Sequence, residues 1–146
     1  MNIGQICSHE MVSVPTSATL GEVARLMHDR HVGSVVVTRT YTDAPAAVGI
    51  ITDRDIVRTQ LERKADLWCL SAEEVMTRDP LVLREDLSIG EGIERLRARG
   101  VRRAPVVSVH GMLVGVVSTD DLLAALAREL GSVARLFEAQ PKREPG

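Results

Sequence analysis

The chain is short of aromatic residues: Tyr41, Trp68 and Phe137 are the only three in 146 positions. Its core must then be aliphatic, and base-stacking platforms for single-stranded nucleic acid are disfavoured. Lysine occurs only at Lys64 and Lys142, so arginine, the better fork for phosphate, supplies nearly all the cations. A net charge of −2 excludes a generic polyanion binder. Cys7 and Cys69 are too few for a disulfide framework and form no CxxC pair. No stretch approaches the roughly 18 apolar residues that cross a bilayer. The segment MNIGQICSHE lacks the basic-then-apolar plan of a secretory signal. The expectation is a cytoplasmic protein without membrane attachment. Walker A, GxGxxG, HExxH and nucleophile-elbow patterns are missing, and no pattern sets a carboxylate pair in a dry pocket. An enzyme is not expected. The acidic balance and β-rich pattern also disfavour a helix-turn-helix reader of nucleic acid.

What the sequence does contain is a duplication. At an offset of 69, TLGE at 19–22 meets SIGE at 88–91, Arg30 and Val32 meet Arg99 and Val101, and SVVV at 34–37 meets RAPV at 103–106. A three-residue insertion within 39–47 lowers the offset to 66, where VGIITDRDIV at 48–57 meets VGVVSTDDLL at 114–123. Each copy reads as a short extended segment (11–14, 81–83), a capped helix, two β-branched runs and a second helix. The runs fall at 34–38 with 47–51 and at 105–109 with 113–117, the latter pair joined by a turn at His110-Gly111. The order β-α-β-β-α, twice, predicts an α+β, sandwich-like fold of two units packed through their sheets with pseudo-twofold symmetry. A unit of this size buries too little alone, and two would share an aliphatic core. The expected boundaries are 1–63 for unit one, 64–74 for a linker with a short helix capped by Ser71, 75–130 for unit two, and 131–146 for the end of the last helix and a frayed tail, QPKREPG.

Five S/T-x-x-[DE] boxes stand at expected helix starts: 19–22, 52–55, 71–74, 88–91 and 118–121. Three use glutamate. The two that follow G-h-h strands, GIITDRD at 49–55 and GVVSTDD at 115–121, use the shorter aspartate. Capping alone accounts for such a box. A hydroxyl and free amides at a helix N-terminus also suit an anion, and an aspartate one turn inside can hold a ribose diol.

The duplicated pattern, the HVGSVVV and GVRRAPVV segments and the paired G-h-h-[ST]-x-x-D signature resemble a tandem pair of CBS domains, a Bateman module, of the stand-alone bacterial type. The resemblance covers residues 1–130. It implies a non-enzymatic sensor that binds an adenosine-containing ligand (AMP, ADP, ATP or similar) between its units, requires no cofactor, and pairs as a homodimer that can act on a regulated protein. It assigns Thr52 and Asp55 to one cleft, and Ser118, Thr119 and Asp121 to the other, with aspartate on the ribose hydroxyls. Arg102 and Arg103 match the loop that carries cations in related pairs, and with Arg54 they are expected to converge on a polyanionic group. Asp53 and Asp120 add negative charge beside it. Two alternatives stand beside this reading. One is a ligand-free dimerisation and protein-interaction domain, and the other a metal- or redox-responsive variant using Cys7 and Cys69, with His9 beside Cys7 and His28 and His31 later in the chain, although their spacing fits no standard zinc site.

Overall fold

A computed structural model of the chain describes residues 1–41 and 44–139. The elements run α1 (Ile3–Ile6), β1 (Ser13–Pro15), α2 (Leu20–Arg30), β2 (Ser34–Tyr41), β3 (Ala44–Thr52), α3 (Asp53–Arg63), a 3-10 turn (Leu67–Cys69), α4 (Ala72–Val75), β4 (Thr77–Arg78), β5 (Leu83–Arg84), α5 (Ile89–Arg99), β6 (Arg103–Val107), β7 (Leu113–Ser118) and α6 (Thr119–Ala139). One sheet has the order β1-β2-β3-β4 and the other β5-β6-β7. In each, the first strand lies parallel to the second and the hairpin is antiparallel. The α+β architecture expected from the repeat is the one observed. The tail QPKREPG lies outside the described residues.

Sequence periodicity accounts for the helices. Helix α2 buries Leu20, Val23 and Met27, and α5 buries Ile89 and Leu96, each set on one helical stripe. Four of the five expected capping boxes close reciprocally. The fifth is one-sided: the Glu91 amide donates to Ser88 Oγ at 3.1 Å. Helix α2 ends on His31 with φ 55°, where the second copy carries Gly100 at φ 66°. His31 is thus the C-cap, in a conformation that costs a residue with a Cβ more than it costs glycine.

The two copies differ where local chemistry says they should. The insertion lengthens the first hairpin, so β2 and β3 outrun their counterparts, and Arg39 on it pairs with Glu73 of α4. In the second copy Pro105 lacks the amide that Val36, its counterpart, donates to Val12 O at 3.0 Å. Strand β5 accordingly starts one repeat position later than β1. The His110-Gly111 turn forms as expected, with Gly111 at φ 83°.

The buried residues form two aliphatic clusters, one on each sheet, in place of the shared core expected, and each copy completes the other's cluster. Helix α1 packs on the second unit: Ile3 is fully buried in the cluster of Leu83, Leu96, Ala104, Val106 and Val117. Linker residues Leu70, Ala72 and Met76 sit in the first cluster with Val14, Leu20, Val35 and Ile51. The exchange is symmetric at the level of single bonds. The Ala72 amide donates to Ala18 O at 2.7 Å, and the Ile3 amide donates to Leu87 O at 2.9 Å. Thr77 pairs with Ile50, and Ser8 with Val116. All these partners are related by the same two offsets as the sequence repeat.

The exchange explains the glycine that opens each signature. A Cβ on Gly49 would meet the Met76 side chain at 2.3 Å, and one on Gly115 would meet Ser8 O at 2.4 Å and Cys7 Sγ at 3.1 Å. The exchanged segments cross the sheets at these two points, and only a residue without a side chain lets them pass. Gly-h-h is therefore a packing requirement as much as a strand end.

Candidate functional site

The two aspartate motifs share a backbone but not a chemical state. At the start of α3, the Asp53 amide donates to Gly33 O at 3.0 Å, the Arg54 amide to Asp53 Oδ1 at 2.8 Å and the Asp55 amide to Thr52 Oγ1 at 3.2 Å. The Thr52 amide donates to Asp55 Oδ2 at 2.9 Å. Arg58 then takes the other carboxylate oxygen, Asp55 Oδ1, at 2.7 Å. Asp55 is buried, and both its oxygens and the four surrounding amides are spent within the chain.

At the start of α6, the Thr119 amide donates to Arg102 O at 2.8 Å, the mirror of the Asp53–Gly33 bond. The Ser118 amide and hydroxyl both donate to Asp121 Oδ2, at 2.8 and 3.1 Å, and the Asp121 amide donates to Ser118 Oγ at 3.3 Å. Asp121 Oδ1 accepts nothing from any described residue. The position equivalent to Arg58 is Ala124, which has no charge to offer. One motif is closed upon itself, and the other presents a carboxylate oxygen.

Asp121 lines a cleft of about 180 Å³ together with Ser8, Glu10, Met11, Val12, Val32, Ser34, Arg103, Val116 and Ser118. Both copies and the crossing N-terminal segment contribute. Its apolar wall of Met11, Val12, Val32 and Val116 suits the edge and face of a heterocycle, while the serines, Arg103 and Asp121 suit polar substituents. The volume is below the ~300–1,000 Å³ usual for ligand pockets, so a ligand of ordinary size would fill it and run out over its rim.

Of the residues singled out from sequence, Arg103, Ser118 and Asp121 meet in this cleft. Thr119 spends its hydroxyl on Arg102 O at 2.9 Å, which makes both residues part of the helix cap. Arg102 and Arg54 are exposed. Thr52 and Asp55 occupy the closed start of α3. The remaining lining residues were not singled out. The signal that finds them is the 69-residue offset carried back to the first residues: Asn2 and Gln5, which form a sixth capping box, then align with Ser71 and Glu74. That alignment marks residues 1–10 as the counterpart of the linker segment that crosses the first sheet.

Cys7 lies behind the cleft. Burial pushes its thiol up from the usual cysteine range, and the negative charge of Asp121 adds to the effect, with Glu85 contributing less. A thiol so placed is a poor nucleophile at neutral pH. Its neighbour His9 approaches Cys7 Sγ with Nε2 at 3.9 Å, while its Nδ1 lies 3.0 Å from Val114 O. Both cysteines are free thiols, and among the described residues no three His, Cys, Asp or Glu side chains group as metal donors. No described helix is long and apolar enough to cross a membrane.

A family model for the CBS domain matches residues 3–62 and again residues 72–128. The chain belongs to the CBS domain family. This CBS pair is 28% identical over 123 residues to an uncharacterized protein of Methanopyrus kandleri, covering 84% of this chain and 61% of that one. It is 32% identical over 124 residues to an uncharacterized 17.7 kDa protein of Acidianus ambivalens, covering 85% and 72%. The CBS pair thus spans less than two thirds of the Methanopyrus relative. Among solved structures, the CBS domain pair of protein MJ0100, in complex with 5′-methylthioadenosine and S-adenosyl-L-methionine, superposes with a TM-score of 0.75 at 20% identity over 88% of this chain and 98% of that one. CBSX2 in complex with AMP gives 0.72 at 20% identity over 87% and 96%. These two likenesses are of fold.

Proposed function

We propose that this CBS pair is a non-enzymatic regulatory module that binds one adenosine-containing ligand per chain in the cleft at Asp121. The observation that carries the reading is that Asp121, with one carboxylate oxygen unspent, lines a cleft with an apolar wall. In this reading, the ribose hydroxyls donate to Asp121, the base lies against Met11, Val12, Val32 and Val116, and Arg103 meets the 5′ substituent. The bound adenosine compounds of the MJ0100 pair and CBSX2 support it. Titration calorimetry with adenosine and AMP is expected to give saturable heat with a stoichiometry near one per chain. Absence of heat with both would overturn the reading, and a stoichiometry of two would overturn the closed state of the first motif. The two free thiols suit a reducing compartment, and the reading puts the module in the cytoplasm.

A second observation favours self-association. On α6, Leu123, Leu126, Leu130, Val133 and Phe137 recur at alternating steps of three and four, and Leu130 is 71% exposed. This is the seam of a helix that packs on another helix. We read the protein as a homodimer that uses this face, so that ligand binding in the cleft can be felt at the dimer interface or by a regulated protein. Leu130→Glu is expected to shift sedimentation from dimer to monomer without lowering the affinity for ligand. A monomeric parent protein would rule out the homodimer.

A further inference from the structure

Helices α3 and α6 are the same element of the two copies, and each carries an apolar face that its own unit leaves uncovered. On α3, Val57 and Leu61 stand one turn apart and are 60% and 72% exposed. On α6, Leu123 holds the position of Val57 and is as exposed, and Leu126 and Leu130 follow it. The two faces match in position and differ in bulk. Gln60 stands where α6 has Leu126, Leu61 where it has Ala127, and Lys64 where it has Leu130.

Their charges are inverted as well. Arg54, Glu62 and Arg63 on α3 correspond at the 66-residue offset to Asp120, Arg128 and Glu129 on α6. All six are exposed, and none of their side chains forms an ion pair among the described residues. With the C-cap Lys64 included, residues 53–64 carry one positive charge in excess, and the matching residues 119–130 carry two negative charges in excess. The rest of α6 adds no net charge.

A twofold contact between like helices sets residues near the axis against their own copies. Two α3 helices would meet across only two aliphatic side chains each, with a positive excess on both sides. Two α6 helices would bring two negative excesses together. A contact between unlike helices sets positive excess against negative in any register. It also covers Val57 and Leu61 with the longer apolar face of α6, while the aliphatic stems of Arg54 and Lys64 can lie along leucines.

Granted the homodimer reading above, we infer that α3 of one copy docks on α6 of the second, so that unit one of each chain meets unit two of its partner. One twofold axis then makes two equal contacts, and neither helix face is left free to recruit a third copy. The helix that starts at the ligand cleft of one chain thus lies on the helix of the closed motif in the other.

Cross-linking of the full chain tests this in a Cys69→Ser background, where the buried Cys7 is the one native thiol left. Val57→Cys and Leu123→Cys proteins are treated with a bis-maleimide whose arm spans about one helix diameter, ~10 Å, so that the outcome does not hang on register. An equimolar mixture of the two is expected to give covalent dimers, and each protein alone none. Cross-linking of either variant with its own kind would overturn the pairing, as would a sedimenting dimer that no combination cross-links. Glu129→Arg supplies the sign of the charge effect. It removes the negative excess of α6, and its dimer is expected to dissociate roughly threefold to tenfold more readily at low salt. An unchanged or tighter dimer overturns the pairing, since two α6 helices in contact would be relieved of repulsion by the same change. A monomeric parent protein removes the homodimer reading itself, and the pairing with it.

Discussion

Asp121→Ala is expected to weaken ligand binding on the order of a hundredfold, while Asp55→Ala leaves it within about twofold. The asymmetry follows from what each carboxylate already does. A hydrogen bond to a charged group contributes ~1.5–3 kcal/mol, and the two ribose hydroxyls share the one unspent oxygen, Asp121 Oδ1, which keeps each near the lower end of that range. At ~1.4 kcal/mol for each tenfold, losing two bonds of ~1.5 kcal/mol gives about that factor. Asp55 has no free edge, since Thr52 and Arg58 occupy its two oxygens. Its replacement is expected to cost stability instead, about 1 kcal/mol for the cap, with little from the Arg58 pair because that arginine is mostly solvated. Asp121 also caps a helix, so alanine alone would confuse folding with binding. Asp121→Asn separates them: one amide oxygen still accepts from Ser118, and the cleft receives an NH2 in place of the acceptor. Calorimetry on all three variants, with melting curves beside it, checks the prediction. Equal loss of affinity from Asp55→Ala and Asp121→Asn would mean that both motifs bind.

The sequence pattern made the two motifs look alike because it records residue types at fixed spacing. G-h-h-[ST]-x-x-D is satisfied equally by 49–55 and 115–121, and both do cap helices. What distinguishes them sits three residues beyond the pattern, in Arg58 against Ala124. The difference is visible in the sequence once one knows that a side chain at i+3 can turn back onto the cap carboxylate. Fold class was legible for a related reason. Helical stripes, hairpins and capping boxes are local, and their duplication excluded most other arrangements. The exchange of first segments was not legible locally. Residues 3–6 make a single turn with one fully buried side chain, and they bond to Glu85 and Leu87, more than eighty positions away. No periodicity within so short a segment can name so distant a partner. The same gap hid Ser8, Glu10, Met11 and Val12 as lining residues, since they reach the cleft only because α1 is anchored on the second unit.

That anchoring carries the other large effect. Ile3→Ala is expected to lower the free energy of unfolding by about 2–5 kcal/mol, as for other large-to-small changes in a packed core. Ile3 has no exposed surface, and its Cδ1 reaches to 2.5 Å from where a Cβ on Gly92 would stand, so α5 has been left bare to receive it. Such a loss is a large share of the ~5–15 kcal/mol that stabilises a typical domain. An exposed control on the same unit, Val109→Ala, is expected to stay within about 0.5 kcal/mol. The cost should not be confined to the second unit. Residues 1–10 complete that core while residues 70–78 complete the first, so neither unit keeps its packing when the other opens. Denaturant unfolding is therefore expected to remain a single transition in Ile3→Ala, shifted to lower midpoint. Two separated transitions, or a loss below about 1 kcal/mol, would show that the crossing segments are ornaments on independently stable units. The variant is expected to bind its ligand more weakly as well, although Ile3 does not line the cleft. The cleft wall from Ser8 to Val12 is held in place by the segment that Ile3 fastens, and a wall that must be ordered on binding subtracts that ordering from the affinity.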